Sequence, residues 1–476
     1  MADRVSSYLI EVDIPSSYFG NMINFIYQRY VKPELQRFAN VSSHATGDSP
    51  SLAFTILGVG GKPIISVEIR GRKPVELTIT RLDESVTEEM ISRVKQDVTI
   101  AVNLFEEQVR KSTLYFAWRE GEEVVPEKLR GNEKKPVQRM FLETQILFFM
   151  LFIAASFFLF AVIGILTPIV LLAIQFVFVF YSSKIIARTA DWHITKDNPN
   201  IHILEYHLPL DEHDKFRQKF SLAELVELKK EIYTEAIADK GEIDCAAVQQ
   251  IFLKSGIECK PENLVTRKVN VYDLVEKTAK KFGYPMPEIV VSNTELPNAA
   301  ASGPSPSRGV VLITTGLFVQ LDDEEIISVL GHEFGHLKGH DPLLLYGLSA
   351  VQYVVFFYVL WPFLFSSFFL FFIYFWAVMA VIYFIAKFFE ARADLISAIV
   401  IGQPQLLARS LEKIGFKRLL YERTPSFRVQ EWISFDPHPP IYFRVNRLEK
   451  IKVPVKINHP LAESAKDVTR GFLASL

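Results

Sequence analysis

Two long stretches of the chain carry no charged residue, and the remainder alternates polar and apolar positions at spacings that separate helices from strands. The first stretch, Ile146 to Ser183, has about 38 positions with Gly164 and Pro168 near its middle; the second, Leu343 to Ala386, has about 44 and is broken around Trp361, Pro362, Ser366 and Ser367. A lipid-crossing helix needs about 20 residues, so each run predicts two tightly joined helices. Four spans are expected, as hairpins at 139–187 and 343–387. Lys134, Lys135, Arg139, Lys184, Arg188, Lys338, Lys387 and Arg392 flank the outer ends of the runs. By the positive-inside rule those ends, and the soluble segments attached to them, are expected to face the cytosol of a multi-pass cell-membrane protein.

Residues 1–138 read as a soluble unit. Met1 to Asp13 carries charges and no apolar core of a cleavable signal. Tyr8 to Ile14 predicts a strand. Ser16 or Ser17 predicts the cap of a helix with apolar positions at Phe19, Met22, Ile23, Ile26 and Tyr30. The β-rich runs 52–57, 64–69 and 75–80 follow, then a long helix from about Glu84 with Ile91, Val94, Val98, Ala101, Phe105 and Val109 on one face. The pattern is that of an α+β module. Gly58, Gly60, Gly61 and Lys62 do not make a phosphate loop, because the spacing is wrong and Pro63 stands where a hydroxyl residue would hold magnesium.

Residues 188–342 read as a region between the hairpins. It holds membrane-proximal strands over 185–209, a capping box at Ser221 and Glu224, an amphipathic helix over 270–282 and a strand over 289–292. His193, His202, His207 and His213 lack a metal-ligand spacing and read as surface or strand histidines. Residues 388–476 complete the chain.

Composition adds three points. Apolar residues make up 49% of 476 and include 39 phenylalanines, too many to belong to soluble cores alone. A net charge of −2 supplies no basic field for nucleic acid, which is excluded as a partner. Cys245 and Cys259 lie outside any CxxC spacing and read as small buried hydrophobes, in keeping with a reducing compartment.

The string with chemistry is Gly331-His332-Glu333-Phe334-Gly335-His336. Asp322 predicts a helix cap with Glu325 three residues on, which places the string inside a helix. Histidines four apart share one helix face and can hold one zinc ion, with the glutamate beside it as general base. Composition alone gives roughly 0.02 such strings by chance in this chain, so the motif is informative. Gly339 is followed by Pro342 where the metzincin pattern requires a histidine, so the third ligand must lie elsewhere. Glu390 is the candidate, because the second hairpin leaves just after the motif helix and returns to the same membrane face. Asp394, one turn on, is placed to accept the other ring N–H of a ligating histidine. His340 and Asp341 end the motif helix, His340 by charge matching at its terminus.

This arrangement resembles the HtpX-like integral-membrane zinc metallopeptidases, relatives of the type 1 CAAX prenyl endopeptidases, over roughly residues 265–450. Pro297-Asn298-Ala299-Ala300-Ala301 is similar to the family's Asn-Ala-x-Ala strand, and His438-Pro439-Pro440 with Arg444 to its His-Pro-Pro-x-x-x-Arg segment. The resemblance implies a mixed fold: an α-helical membrane part, an α+β gluzincin-type peptidase domain and the N-terminal α+β module. It also implies one Zn2+ per chain, polypeptide substrates drawn from membrane or misfolded proteins, and a lipid bilayer as partner. Asn298, Ala299, Ala300 and Ala301 would then form a substrate-pairing edge strand. His438 would donate to the oxyanion, and Arg444 would steady the acidic pair. Ala300 stands where phenylalanine is common, which alters the expected pocket.

Two other readings remain. A prenyl protease shares the motifs but usually has more spans, and a non-proteolytic chaperone or scaffold with structural zinc would not need Glu333. A transporter is disfavoured, since neither apolar run holds an ionisable residue.

Overall fold

The structure is a computed structural model that describes residues 5–12, 14–45, 49–119, 155–208, 222–234, 245–254, 259–364, 367–422, 425–454 and 457–476. The chain divides into two compact units, Met1–Trp118 with His202–Lys268, and Arg119–Ile201 with Val269–Leu476. The region expected as one block at 188–342 is therefore divided. His202–Lys268 joins the N-terminal unit, because its strands find their hydrogen-bonding partners there rather than beside the motif helix.

In the first unit, five antiparallel strands run in the order Val5–Ile10, Val75–Arg81, Pro63–Arg70, Ser51–Leu57 and Phe38–His44. The last was not foreseen; its apolar residues are too few to mark it. Inward positions such as Leu52, Val67, Ile69, Leu77 and Ile79 bury against Met22, Ile23 and Ile26 of Phe19–Ile26 and against Val98 and Val102 of Glu88–Lys111. Alternation at period two meets periodicity near 3.6 across this core. Thr87 caps the long helix by accepting from the Met90 N–H. Thr113–Arg119, Asn200–His207 and Leu264–Asn270 form a second, three-stranded sheet in which His202 and His207 are buried strand residues. His193 is exposed, and His213 and Ser221 lie outside the described residues.

Cys245 and Cys259 are bonded to each other, with their Cα atoms 5.6 Å apart. The expectation of two reduced, buried thiols is corrected, and the compartment inferred from them falls with it. Sequence spacing could not report this pairing, which depends on the chain folding back over a separation of 14.

The second unit holds a four-stranded sheet in the order Ala299–Ser302, Val310–Thr314, Glu288–Ser292 and Trp192–Ile194. Only the pair 288–292 and 310–314 is parallel. Three helices among the described residues are long and apolar enough to cross a membrane: Ala155–Phe180, Asp341–Leu360 and Phe369–Val400. The latter two match the second expected hairpin. The first expected hairpin does not turn where its Gly and Pro stand. Gly164, at φ +59, opens one tight helical turn, and the chain then continues onward. Its contacts with the next span run steadily antiparallel: Tyr346 donates to the Leu172 carbonyl and Tyr358 to that of Ile165, while Phe160 packs on Phe357 and Phe157 on Trp361. A glycine and a proline can kink a membrane helix without ending it, because neighbouring groups satisfy the freed backbone. Residues 139–154 lie outside the described residues, so the fourth expected span is not among them.

Candidate metal centre

The motif helix is Asp323–Gly339, opened by the expected capping box: Glu325 N–H donates to the Asp322 carboxylate and Asp322 N–H to that of Glu325. It packs along Phe368–Val400, and two glycines permit the close approach. A Cβ at Gly335 would stand 3.0 Å from the Ala393 backbone, and one at Gly331 would strike Ile401 and Ser397. The glycines preceding His332 and His336 thus let the helix that carries residue 390 come alongside.

Three ligand atoms converge. His332 Nε2 and His336 Nε2 are 3.2 Å apart, and each lies 3.4 Å from a different oxygen of Glu390. Atoms held roughly 2.0 to 2.1 Å from a tetrahedral zinc ion would stand about 3.3 Å from one another. Protons also favour a cation here. His332 Nδ1 lies 2.8 Å from Asp394 Oδ1 and His336 Nδ1 lies 2.7 Å from Asp341 Oδ2. Ionised carboxylates only accept, so a hydrogen on each Nδ1 faces its carboxylate, which in the neutral imidazole leaves the Nε2 lone pair facing Glu390. Burial pushes His332 down, yet the carboxylates of Asp394 and Glu390 overcome it and hold this imidazole at about 10. Burial lowers His336, with Glu390 opposing. Two imidazoles and one carboxylate with an open side fit a catalytic zinc site.

Behind each histidine stands a carboxylate, and behind each carboxylate an arginine. Arg444 grips Asp394 through two hydrogen bonds, of 2.9 and 2.7 Å, and its Nη1 lies 4.0 Å from Glu390. Arg392 pairs with Asp341 and sits over the Phe389 ring. Asp341 and Arg392 had no place in the expected site. Asp341 lies just past His340, whose φ of +52 ends the motif helix and turns the next residue back under His336. A carboxylate five residues beyond the second histidine was the available signal. From the sequence Arg392 reads only as a membrane-flanking charge.

Glu333 is half-buried beside the two histidines in sequence, and its Oε2 accepts from Ala301 N–H at 3.0 Å. Ala299, Ala300 and Ala301 lie on the sheet's edge strand, paired on one side to Ile313, Leu312 and Val311. Asn298 precedes the strand, exchanging hydrogen bonds with Thr314. His438 Nε2 is 3.6 Å from Glu390 Oε2, and its Nδ1 lies 2.7 Å from Asp436, which also accepts from the His438 N–H. Burial pushes Asp436 up, but His438 and Arg418 hold it at about 2. Asp436 too was missed, although it stands only two residues before His438.

Residues 266–452 match the family described as Peptidase family M48. The chain is 30% identical over 215 residues to Protease HtpX homolog 2 of Methanosarcina acetivorans, covering 38% of this chain and 72% of that relative. It is 43% identical over 74 residues to the Protease HtpX homolog of Thermodesulfovibrio yellowstonii, which is 16% of this chain and 26% of that relative. A crystal structure of S. mikatae Ste24p aligns with a TM-score of 0.31 and 16% identity, over 49% of this chain and 60% of that one.

Proposed function

Because the chain belongs to peptidase family M48 and to its HtpX-like members, we propose that it is a membrane-embedded zinc endopeptidase that hydrolyses peptide bonds of membrane or misfolded proteins. The observation that carries this reading is the convergence of His332, His336 and Glu390 beside Glu333. When bound, the zinc ion supplies Lewis acidity toward a carbonyl and makes water more acidic. Glu333 would take a proton from the attacking water at its carboxylate and return it to the leaving amine, a role worth typically about 10² to 10⁴ in rate. Its hydrogen bond from Ala301 fixes the carboxylate's aim.

Ala299, Ala300 and Ala301 lie on the sheet's outer strand, and an extended substrate would add a further strand beside it, where the Ala301 N–H donates to Glu333. His438, with Nδ1–H committed to Asp436, would donate from Nε2 to the oxyanion when doubly protonated. Arg444 would hold Asp394 ionised and so keep His332 in its ligating tautomer. The site is built at the ends of two membrane-length helices, since Asp341 opens one and Glu390 lies in the other. Substrates would therefore be cut at the bilayer surface.

The test is metal analysis beside casein cleavage for wild type and Glu333→Gln. Full metal content with activity lowered at least hundredfold is expected. Equal cleavage by the variant would overturn the mechanism. Competition by a prenylated C-terminal peptide would redirect the substrate class.

A further inference from the structure

The helix Pro425–Ile433 carries its charges on the wrong side for a water-facing helix. Arg428 turns inward, donating to the Glu422 carbonyl and lying 4.8 Å over the Tyr442 ring. Glu431 also turns inward and accepts from Arg418. Trp432 is buried, donating to Tyr442 and Ser475. The outward stripe is Phe427, Gln430 and Ile433, with Phe427 43% and Ile433 61% exposed. Tyr421, also exposed, packs its ring on Phe427. No charge stands on this stripe, although a soluble surface helix places its charges outward.

What covers the stripe follows from the next residues. Lys387 is the first ionisable residue after the uncharged stretch of Phe368–Val400, and its ammonium donates to the carbonyls of Ser434 and Asp436. Phe435, between them, packs on Trp376 at 4.7 Å and Tyr383 at 5.7 Å between ring centroids. At about 1.5 Å per residue, Tyr383 and Trp376 lie roughly 6 and 16 Å from Lys387 toward the middle of the span. Phe435 is thus held at a depth where the same helix exposes Phe372, Trp376 and Val381 to acyl chains. The apolar surface of Phe427 and Ile433 leads into that lipid-facing surface.

We propose that Pro425–Phe435 is a lipid-inserted element that does not cross the bilayer: Phe427, Ile433 and Phe435 enter the acyl region beside the span, and the occupant of the apolar stripe is the bilayer itself. Phe435 lies three residues before His438, so this contact moors the His438 loop to the membrane. The proposal rests on the membrane assignment and not on the hydrolytic reading, so the two fail independently. Interfacial helices of this kind are held by buried apolar area.

The experiment uses the full chain in phosphatidylcholine nanodiscs without reductant, so that the Cys245–Cys259 bond stays closed. Phe427→Cys and Ile433→Cys are each labelled with an environment-sensitive NBD dye and read against lipids bearing doxyl quenchers. Phe372→Cys in the span is the lipid-exposed control, and Lys280→Cys, whose side chain is 71% exposed on a charged helix, the aqueous one. Quenching at 427 and 433 of at least half that at 372, with blue-shifted emission, is expected. Quenching no greater than at 280 would overturn the proposal, and so would blue-shifted emission without quenching, which means protein cover. Nitroxides at the same positions give a second reading: higher accessibility to oxygen than to a nickel chelate supports insertion, and the reverse order refutes it.

Discussion

The two imidazoles of the site are supported by the same chemistry reached along different routes. His332 leans on Asp394 and Arg444, which come from two other helices and lie 62 and 112 positions away in sequence, by subtraction of their numbers. His336 leans on Asp341, five positions on, with Arg392 behind it. One support exists only when three helices have packed; the other depends on a left-handed turn at His340 and needs one long-range partner. The global route places the more deeply buried and more strongly charged group, and the local one is the easier to form. Grip on a metal would therefore be coupled to the fold through His332 more than through His336.

The largest test of this contrast is Asp394→Ala. It leaves the Arg444 guanidinium buried without its partner, and about 3 to 5 kcal/mol of stability should be lost in denaturant unfolding. Zinc affinity should fall about ten- to hundredfold in the part of the population that stays folded, measured by competition with a chelator.

Next comes pH. His332 is held at about 10, above its ordinary 6.5, so the metal must displace a proton from it. Zinc affinity should rise about tenfold per pH unit between pH 7 and 9, roughly a hundredfold overall. Asp394→Asn should flatten that slope and Asp341→Asn should not. The raised value also stabilises the metal-free fold below pH 6.5, a contribution lost as pH rises through about 10. An unchanged slope in the Asp394 variant would erase the distinction between the two routes.

Asp341→Asn keeps an acceptor for His336 but loses the charge that buried Arg392 requires, so zinc affinity should weaken about tenfold and unfolding stability should fall as well. Smallest is Arg392→Lys, which keeps the charge and loses the planar fork, with an expected loss of about threefold. A cobalt-substituted sample supplies a second readout, because its absorption bands report ligand geometry apart from turnover.

The same contrast explains what could be read in advance. Residues that act through local periodicity were legible: the capping box at Asp322 and Glu325, the histidine pair on one helix face, the strands over 52–57, 64–69 and 75–80, and the uncharged runs. Glu390 and Asp394 were legible at long range because a hairpin of known length must return its exit to its entry. Asp341, Arg392 and Asp436 were not, since each became part of the site through a turn or a helix contact that no spacing encodes.

By itself the sequence determined that apolar segments are long enough to cross lipid, that a helix presents two imidazoles and a carboxylate together, and that an acidic pair lies beyond the next apolar hairpin. These follow from local geometry, whose periods are set by the backbone. Tertiary structure alone decided that the chain passes Gly164 and Pro168 without reversing, that His202–Lys268 packs with the N-terminal unit, that Cys245 bonds Cys259, and that His332 and His336 each have an arginine behind their carboxylate. The reason is physical: a kink, a strand partner, a disulfide and a buried ion pair each depend on which distant surface arrives alongside, and that is settled by packing the whole chain at once.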